Sequence, residues 1–259
     1  MTPFLLALQF LTVATLRPDL AAGPGDLARS RAWFGLVGAL LGWVLAGLAW
    51  LLGRVLPPLP LAGVMVLLWA ASTRFLHLDG VADTADALVH TTSRERALEI
   101  MKDTRLGSFG VAAICGLLLV KFAALAGLGP GRLYLGLAVA PPLARALAAA
   151  LSVVLAPARV DQGLGAATAG ADQPETGGGA GALLAAGISA LAAACLAGVL
   201  AGGLLGLVAA LGAALAVLIL GVVLGLWFQR RLGGVTGDCL GAAIECGEMV
   251  ALLALCAWA

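Results

Sequence analysis

Seven apolar stretches of about twenty residues each dominate this sequence of 259 residues. Hydrophobic residues make up 62% of the chain and charged residues only 11%. A helix of about 20 apolar residues is long enough to cross a bilayer. The stretches are residues 32–53, 59–75, 108–128, 133–156, 181–202, 207–228 and 239–258. We therefore predict an all-α fold, a polytopic membrane helical bundle of about seven transmembrane helices. It would form a single integral membrane domain over residues 1–259, with the lipid bilayer as its solvent.

Two further features concern how the helices lie and pack. Residues 3–16 are apolar but too short to cross the membrane comfortably, so we expect an interfacial or re-entrant segment there. Glycine is abundant, with 36 residues set among Leu, Ala and Val, as expected where membrane helices pack closely. The small residues Gly202, Gly203 and Gly206 could pack against another helix of the same chain or against a second copy. A homo-oligomer is therefore possible.

The basic residues predict the orientation of the bundle. Loops 17–31, 74–107, 157–180 and 229–238 hold 11 Lys and Arg residues. The alternate loops hold only Arg54 and Arg132. By the positive-inside rule, the first set of loops faces the cytoplasm, and we expect catalytic loops at about residues 76–107 and 229–245. The net charge of +1 provides no basic surface for nucleic acid, so no nucleic-acid partner is expected.

Polar chemistry concentrates in residues 74–105, which hold 11 of the 29 charged residues and both histidines. Asp79, Asp83 and Asp86 are spaced so that one helix face would carry all three carboxylates. Like charges at this spacing destabilise a bare helix, so the stripe needs a cation. Carboxylates without cysteine suit a hard ion, and we predict that these three bind Mg²⁺. The alternative is a set of solvated acids in a surface loop.

Two neighbours of the first aspartate add to this motif. Gly80 would let a bulky phosphate approach the backbone beside Asp79. His77 is a candidate general base. The alternative for His77 is an ordinary structural histidine whose ring is hydrogen-bonded in the fold.

Downstream, Lys102 and Arg105 lie close together just before an apolar stretch. Both can clamp phosphate oxygens, since ammonium and guanidinium groups donate hydrogen bonds to phosphate. Basic residues at the end of a membrane helix are also common determinants of topology. Both interpretations stay open from the sequence alone.

A second acidic group begins the last apolar stretch. Asp238 and Glu245 are seven residues apart and share a helix face, which Glu248 continues. Charges at the start of a membrane helix are costly unless they face a cavity, a metal or a partner. The loop count puts this helix start on the same side as the first motif, so we expect the two acidic groups to converge. Alternatively, Asp238 caps the helix and Glu245 pairs with Lys121 or Arg145.

These motifs, taken in order along the chain, resemble the cobalamin synthase family, membrane enzymes also called adenosylcobinamide-GDP ribazoletransferases. The resemblance runs through residues 4–12, 28–38, 77–86, 99–110 and 236–245. It implies a transferase that joins adenosylcobinamide-GDP to α-ribazole or its 5′-phosphate and releases GMP. It also implies a requirement for Mg²⁺ and a place in the bacterial inner membrane, with the active site facing the cytoplasm.

The resemblance assigns roles to residues within the shared motifs. In this scheme Asp79, Asp83 and Asp86 hold the metal. The implied catalytic residues are His77, Asp79, Asp83, Asp86, Asp238 and Glu245, and the implied substrate-binding residues are Arg29, Gly80, Lys102, Asp103 and Arg105.

Two rival functions remain to be weighed. A CDP-alcohol phosphotransferase also uses an Asp-Gly motif followed by further acids, but Asp83 replaces the arginine of that motif. An ion-coupled transporter would explain Lys121 and Arg145 as charges on a transport path. Against the transporter, the acids cluster at the predicted membrane edge rather than at the midplane.

Overall fold

The computed structural model describes residues 2–17, 19–20, 25–103, 105–159 and 178–258, and this part of the chain is helical without a β-strand. The helices are α1 (Thr2–Leu11), α2 (Asp26–Ser30), α3 (Phe34–Leu52), α4 (Pro58–Ala71), α5 (Leu76–His90), α6 (Arg94–Ile100), α7 (Ser108–Gly127), α8 (Gly129–Val154), α9 (Gly178–Leu232) and α10 (Gly237–Cys256). A 3₁₀ turn, Arg31–Trp33, joins α2 to α3. The predicted all-α membrane bundle is confirmed.

The number of membrane-spanning helices differs from the prediction of about seven. Five helices in the described chain are long and apolar enough to cross a membrane. The count becomes six if α4 and α5, which meet at an angle of 85°, form one broken span. The count of seven is therefore not confirmed. The count of five takes α9 as one helix, although α9 contains two of the predicted stretches. The predicted span 59–75 is present only as α4, which has 14 residues.

Helix α9 contains a reversal of the chain. Gly202 and Gly203 have non-helical backbone angles, and a Cβ added at Gly198 would lie 2.5 Å from the carbonyl oxygen of Gly206. Residues eight apart in a continuous helix are separated by about 12 Å along its axis. The two arms of α9, residues 178–201 and 204–232, therefore pack against each other as a hairpin. Gly206 therefore packs against another helix segment of the same chain. This is the first of the two possibilities given above, the other being contact with a second copy.

Helix α8 lies at the centre of the bundle. It packs against α3, α9 and α10, and residues such as Leu137, Val139 and Ala144 are fully buried. Glycines allow the close approach: a Cβ added at Gly38 of α3 would meet the Pro141 carbonyl oxygen at 2.6 Å. Within lipid, no hydrophobic effect drives helices together. Van der Waals contact between closely packed small residues stabilises their association instead.

The loops rich in basic residues meet at one end of the bundle, which we call the arginine end. Arg94 donates from Nε to the carbonyl of Leu232 at 2.7 Å and from Nη2 to that of Ala158 at 3.1 Å. Arg231 donates to the carbonyl of Leu88 at 2.9 Å. The carbonyls of Leu232 and Leu88 lie in the last turns of α9 and α5, so these arginines satisfy carbonyls left free at helix ends. These contacts bring parts of loops 74–107, 157–180 and 229–238 together, as the charge count predicts; residues 160–177 lie outside the described chain.

The N-terminal segment forms the short helix α1. Its ten residues are too few to span a bilayer, and it is not among the candidate spans. Ala7 and Leu11 are fully buried, and α1 packs against α2 and α3. Residues 3–16 thus do not form a separate crossing, as predicted.

Candidate functional site

The site is built where α5 crosses α10. A Cβ added at Gly80 would lie 2.6 Å from the carbonyl oxygen of Asp238, and one added at Gly241 would lie 3.3 Å from the Cα of His77. The two helices therefore run antiparallel and almost in backbone contact. Gly80 is buried, which corrects the expectation that it admits a phosphate. Its missing side chain makes room for the backbone of α10.

This crossing brings the two acidic motifs together. Asp83 is half-buried on α5 and lies within the electrostatic influence of Asp79, Asp86 and Asp238. Asp79 is exposed and Asp238 is half-buried. The predicted convergence of the motifs is therefore found for Asp79, Asp83 and Asp238, which we call the acidic site.

Asp86 has a different environment from its neighbours on α5. Its carboxylate is buried and accepts hydrogen bonds from the backbone nitrogens of Gly107, at 2.8 Å, and Gly110, at 3.0 Å. These amides begin helix α7, where unpaired N–H groups and the helix dipole favour a negative charge. A Cβ added at Gly110 would lie 2.5 Å from the Asp86 carboxylate. Asp86 thus anchors the start of α7 to α5.

Arg159 joins the acidic site from the chain that follows α8. Its positive charge acts on both Asp83 and Asp238. One guanidinium nitrogen, Nη2, donates to the carbonyl of Leu98 at 3.0 Å. The sequence gives no signal for this residue, because it stands at the edge of a glycine-rich loop without helical periodicity.

The basic residues of loop 101–107 lie at the surface near the start of α7. Lys102 is exposed. Arg105 Nε donates to both carboxylate oxygens of Asp103, at 2.9 and 3.1 Å. Hydrogen bonding from Arg105 lowers the pKa of Asp103 to about 2, so the pair is ionised at neutral pH. Lys102 and Arg105 form the predicted phosphate clamp. Arg105 is paired with Asp103, whereas Lys102 has no acidic partner among the described residues.

Glu245 lies in a buried ionic network rather than at the acidic site. Glu245 accepts from Lys121 Nζ at 2.9 Å. Glu248 accepts from Lys121 at 2.6 Å, from Trp69 Nε1 at 3.0 Å and from Arg145. These four charged side chains are at most 3% exposed. The alternative pairing of Glu245 with Lys121 is thus the one found, and the cap of α10 is Thr236, which accepts from Cys239 N at 3.2 Å.

His77 and Arg29 complete the predicted residues. His77 is 3% exposed and feels the charges of Arg145, Glu248 and Lys121, so it lies beside the buried network. Neither ring nitrogen has a hydrogen-bond partner in the described chain. Arg29 lies on α2, where its exposed side chain pairs with Asp26 at 3.6 Å.

The acidic site is open rather than closed. Within the residues that the structure describes, no three His, Cys, Asp or Glu side chains surround a point closely enough to hold a metal ion by themselves. Asp79, Asp83 and Asp238 nevertheless offer carboxylate oxygens of the type that Mg²⁺ prefers. Since Mg²⁺ is commonly held by one or two carboxylates together with substrate phosphates, the donor set fits an ion shared with a substrate.

The fold and the site define a class: a polytopic membrane protein with an acidic site, flanked by arginine, at one end of its helical bundle. Residues 3–256 match the family model of cobalamin-5-phosphate synthase, and the chain belongs to this family. The resemblance in the sequence motifs is thereby confirmed.

Curated relatives align with nearly the whole chain. A protein of Geotalea daltonii is 35% identical, covering 98% of this chain and 96% of its own length. Proteins of Pseudomonas savastanoi pv. phaseolicola and Pseudomonas paraeruginosa are 39% and 40% identical, covering 98% and 97% of this chain and 99% and 96% of their own lengths. Each is named adenosylcobinamide-GDP ribazoletransferase. No solved structure matches the chain. These matches do not support either rival function.

Proposed function

We propose that this protein joins adenosylcobinamide-GDP to α-ribazole, or to its 5′-phosphate, and releases GMP. The observation that carries the proposal is the match to the family over residues 3–256. The acidic site supports it, because transfer between phosphate-linked substrates requires groups that neutralise and position charge. Asp79 and Asp83 on α5 meet Asp238 on α10, with Arg159 beside them.

Mg²⁺ is the cofactor that we propose for this reaction. Asp79, Asp83 and Asp238 would hold it together with oxygens of the substrate diphosphate. When bound, such an ion neutralises the negative charge that develops on the leaving phosphate. Asp86 was also predicted as a ligand. Its two hydrogen bonds to the start of α7 favour an anchoring role instead.

The transfer would proceed by direct displacement. A ribose hydroxyl oxygen of the acceptor forms a bond to the phosphorus attached to cobinamide, and the bond between this phosphorus and the bridging oxygen of GMP breaks. The hydroxyl proton goes to a carboxylate of the acidic site, since His77 lies beside the buried ionic network. Lys102, exposed on the loop before α7, would bind phosphate oxygens. No enzyme nucleophile is needed, because positioning and charge neutralisation suffice for phosphoryl transfer.

The orientation in the membrane is part of the proposal. We propose that the protein lies in the bacterial inner membrane with the arginine end, and therefore the acidic site, facing the cytoplasm. The excess of basic residues in the loops of this end supports that orientation. The aqueous nucleotide substrate would then reach the site from the cytoplasm.

The proposal is tested with the full-length protein in detergent. Adenosylcobinamide-GDP, Mg²⁺ and either α-ribazole or its 5′-phosphate are added, and the corrinoid product and GMP are quantified. We expect the two products in equal amounts and only when an acceptor is present. GMP release as a burst without acceptor would contradict direct displacement, and the absence of corrinoid product with both acceptors would contradict the proposed activity.

A further inference from the structure

Arg159 is held in a fixed position relative to the acidic site. Ala158 N donates to the carbonyl of Val235 at 2.8 Å, and Val235 N donates to that of Ala156 at 2.9 Å. Helix α10 begins two residues after Val235, at Gly237. The short bridge therefore ties the backbone that carries Arg159 to the start of the helix that carries Asp238.

The guanidinium of Arg159 has unused hydrogen-bonding capacity beside these acids. Its Nη2 is engaged by Leu98, while its Nε is buried without an acceptor among the described residues. In the same part of the chain, no ion pair or hydrogen bond joins it to Asp83 or Asp238. A buried N–H group without a partner is unfavourable, so this nitrogen favours an incoming acceptor.

Other arginines of this end have a different setting. Arg94 uses Nε and Nη2 for the carbonyls of Leu232 and Ala158. Arg231 donates to the carbonyl of Leu88, in the last turn of α5, and to that of Thr91, which follows the helix. Its Nε, like that of Arg159, is buried without an acceptor among the described residues. Of the cations, Arg159 has the largest electrostatic effect on both Asp83 and Asp238. Its charge is therefore directed at the acidic site, whereas Arg94 and Arg231 hold helix ends.

We infer that Arg159 is a substrate-binding residue that donates hydrogen bonds to the diphosphate of a nucleotide-linked substrate at the acidic site. The inference rests on the proposed function for the identity of that substrate. Three carboxylates alone repel a diphosphate, and a fixed guanidinium supplies both positive charge and directed donors to phosphate oxygens. The carboxylates and Arg159 would thus contact opposite partners, the cation and the phosphates.

This role predicts opposite effects on two ligands when the charge of Arg159 is removed. Diphosphate binding weakens, because a charge-assisted hydrogen bond is lost. Mg²⁺ binding tightens, because the carboxylates of Asp83 and Asp238 lose the cation that competes with the metal ion. A residue with only a structural role would not separate the two effects.

The test compares Arg159→Gln and Arg159→Lys with wild type, in detergent and with the full chain. Arg96→Gln is the matched control, since Arg96 lies on α6 at the same end and pairs with exposed Glu99 at 2.9 Å. Calorimetry measures adenosylcobinamide-GDP binding with Mg²⁺ and without acceptor, and kinetics measure KM, kcat and the Mg²⁺ concentration for half-maximal rate. For Arg159→Gln we expect Kd and KM to rise about 10-fold or more and the half-maximal Mg²⁺ concentration to fall. Arg159→Lys should lie between this variant and wild type.

Size-exclusion chromatography identifies any variant that fails to fold, in which case Arg159→Lys decides. Unchanged Kd and KM in a folded variant would overturn the inference, as would a parallel rise in KM and in the Mg²⁺ requirement. If wild type binds the nucleotide-linked substrate but forms no corrinoid product, the proposed reaction fails while the binding data still decide the role of Arg159.

Discussion

Helix α10 carries acidic residues in two environments within about three turns, and the bundle treats them in opposite ways. Asp238, at the helix start, lies beside Asp79 and Asp83 with no salt bridge among the described residues. Glu248, farther along, is bound by Lys121, Arg145 and Trp69. Unpaired carboxylates grouped at a helix end repel one another, which makes them good ligands for a cation. Paired carboxylates in the interior are already neutralised and serve the fold.

The largest effect is expected where the buried network is broken. Glu248→Gln leaves Lys121 and Arg145 buried with only Glu245 to compensate them. Removing one partner of a buried ionic network is strongly destabilising, by about 3 to 5 kcal/mol. Thermal unfolding in detergent should show a large fall in Tm. The control is Glu99→Gln, whose exposed pair with Arg96 should contribute nothing measurable.

Equal stability of the Glu248→Gln and Glu99→Gln variants would remove the distinction between the two environments. It would mean that the charges of the network are hydrated or otherwise compensated.

Substitutions in the acidic site should lower the transfer rate rather than the stability of the protein. Asp83→Asn removes a charge that has no salt-bridge partner in the described chain, so it should leave Tm unchanged or slightly higher. We expect the transfer rate to fall roughly 100-fold or more, because a ligand of the proposed Mg²⁺ ion would be lost. Steady-state kinetics at several Mg²⁺ concentrations measure the effect, with exposed Asp19→Asn as the charge-matched control. Near wild-type turnover at ordinary Mg²⁺ would exclude Asp83 as a ligand.

Asp86 shares features with both regions, because its carboxylate is buried but is paired with backbone amides rather than with a cation. Its substitution should have the smallest effect of the three. Asp86→Asn loses the charge that faces the amides of Gly107 and Gly110, so the start of α7 should be less stable by about 1 to 2 kcal/mol. The Mg²⁺ concentration for half-maximal rate should stay as in wild type. A stable variant with a higher Mg²⁺ requirement would instead make Asp86 a metal ligand, as the sequence predicted. Asp83→Asn, assayed in parallel, provides the contrast.

Much of the site could be predicted because its pattern is local. Helical spacing gives the shared face of Asp79 and Asp83, and the sidedness of the loops brings Asp238 to the same end. The partner of Glu245 could not be predicted uniquely, since Lys121 lies 124 residues away and Arg145 was an equal candidate. Arg159 could not be predicted as part of the site, because tertiary contacts bring it there, among them the backbone hydrogen bonds between residues 156–158 and Val235.

For the fold too, features set by local sequence could be predicted, whereas features set by tertiary structure could not. Apolar length and composition predict a helical membrane bundle. The 85° angle between α4 and α5 depends on two residues with left-handed backbone angles, Arg74 and Phe75. Neither is a residue type that favours this conformation, so their sequence does not indicate a bend. Backbone hydrogen bonds close the junction, with Phe75 N donating to the carbonyl of Ala70 at 3.0 Å.

The buried network also has a consequence for how the protein is made. Lys121 and Arg145 belong to α7 and α8, whereas both of their acidic partners belong to α10, which follows them in the chain. During synthesis from the N-terminus, two cations enter the membrane before the groups that neutralise them exist. A lone cation at the centre of a membrane helix costs about 2.5 to 3.5 kcal/mol. Docking of α10 removes this cost and, in the same movement, brings Asp238 to α5, so the site is assembled only when the bundle becomes electrically neutral inside.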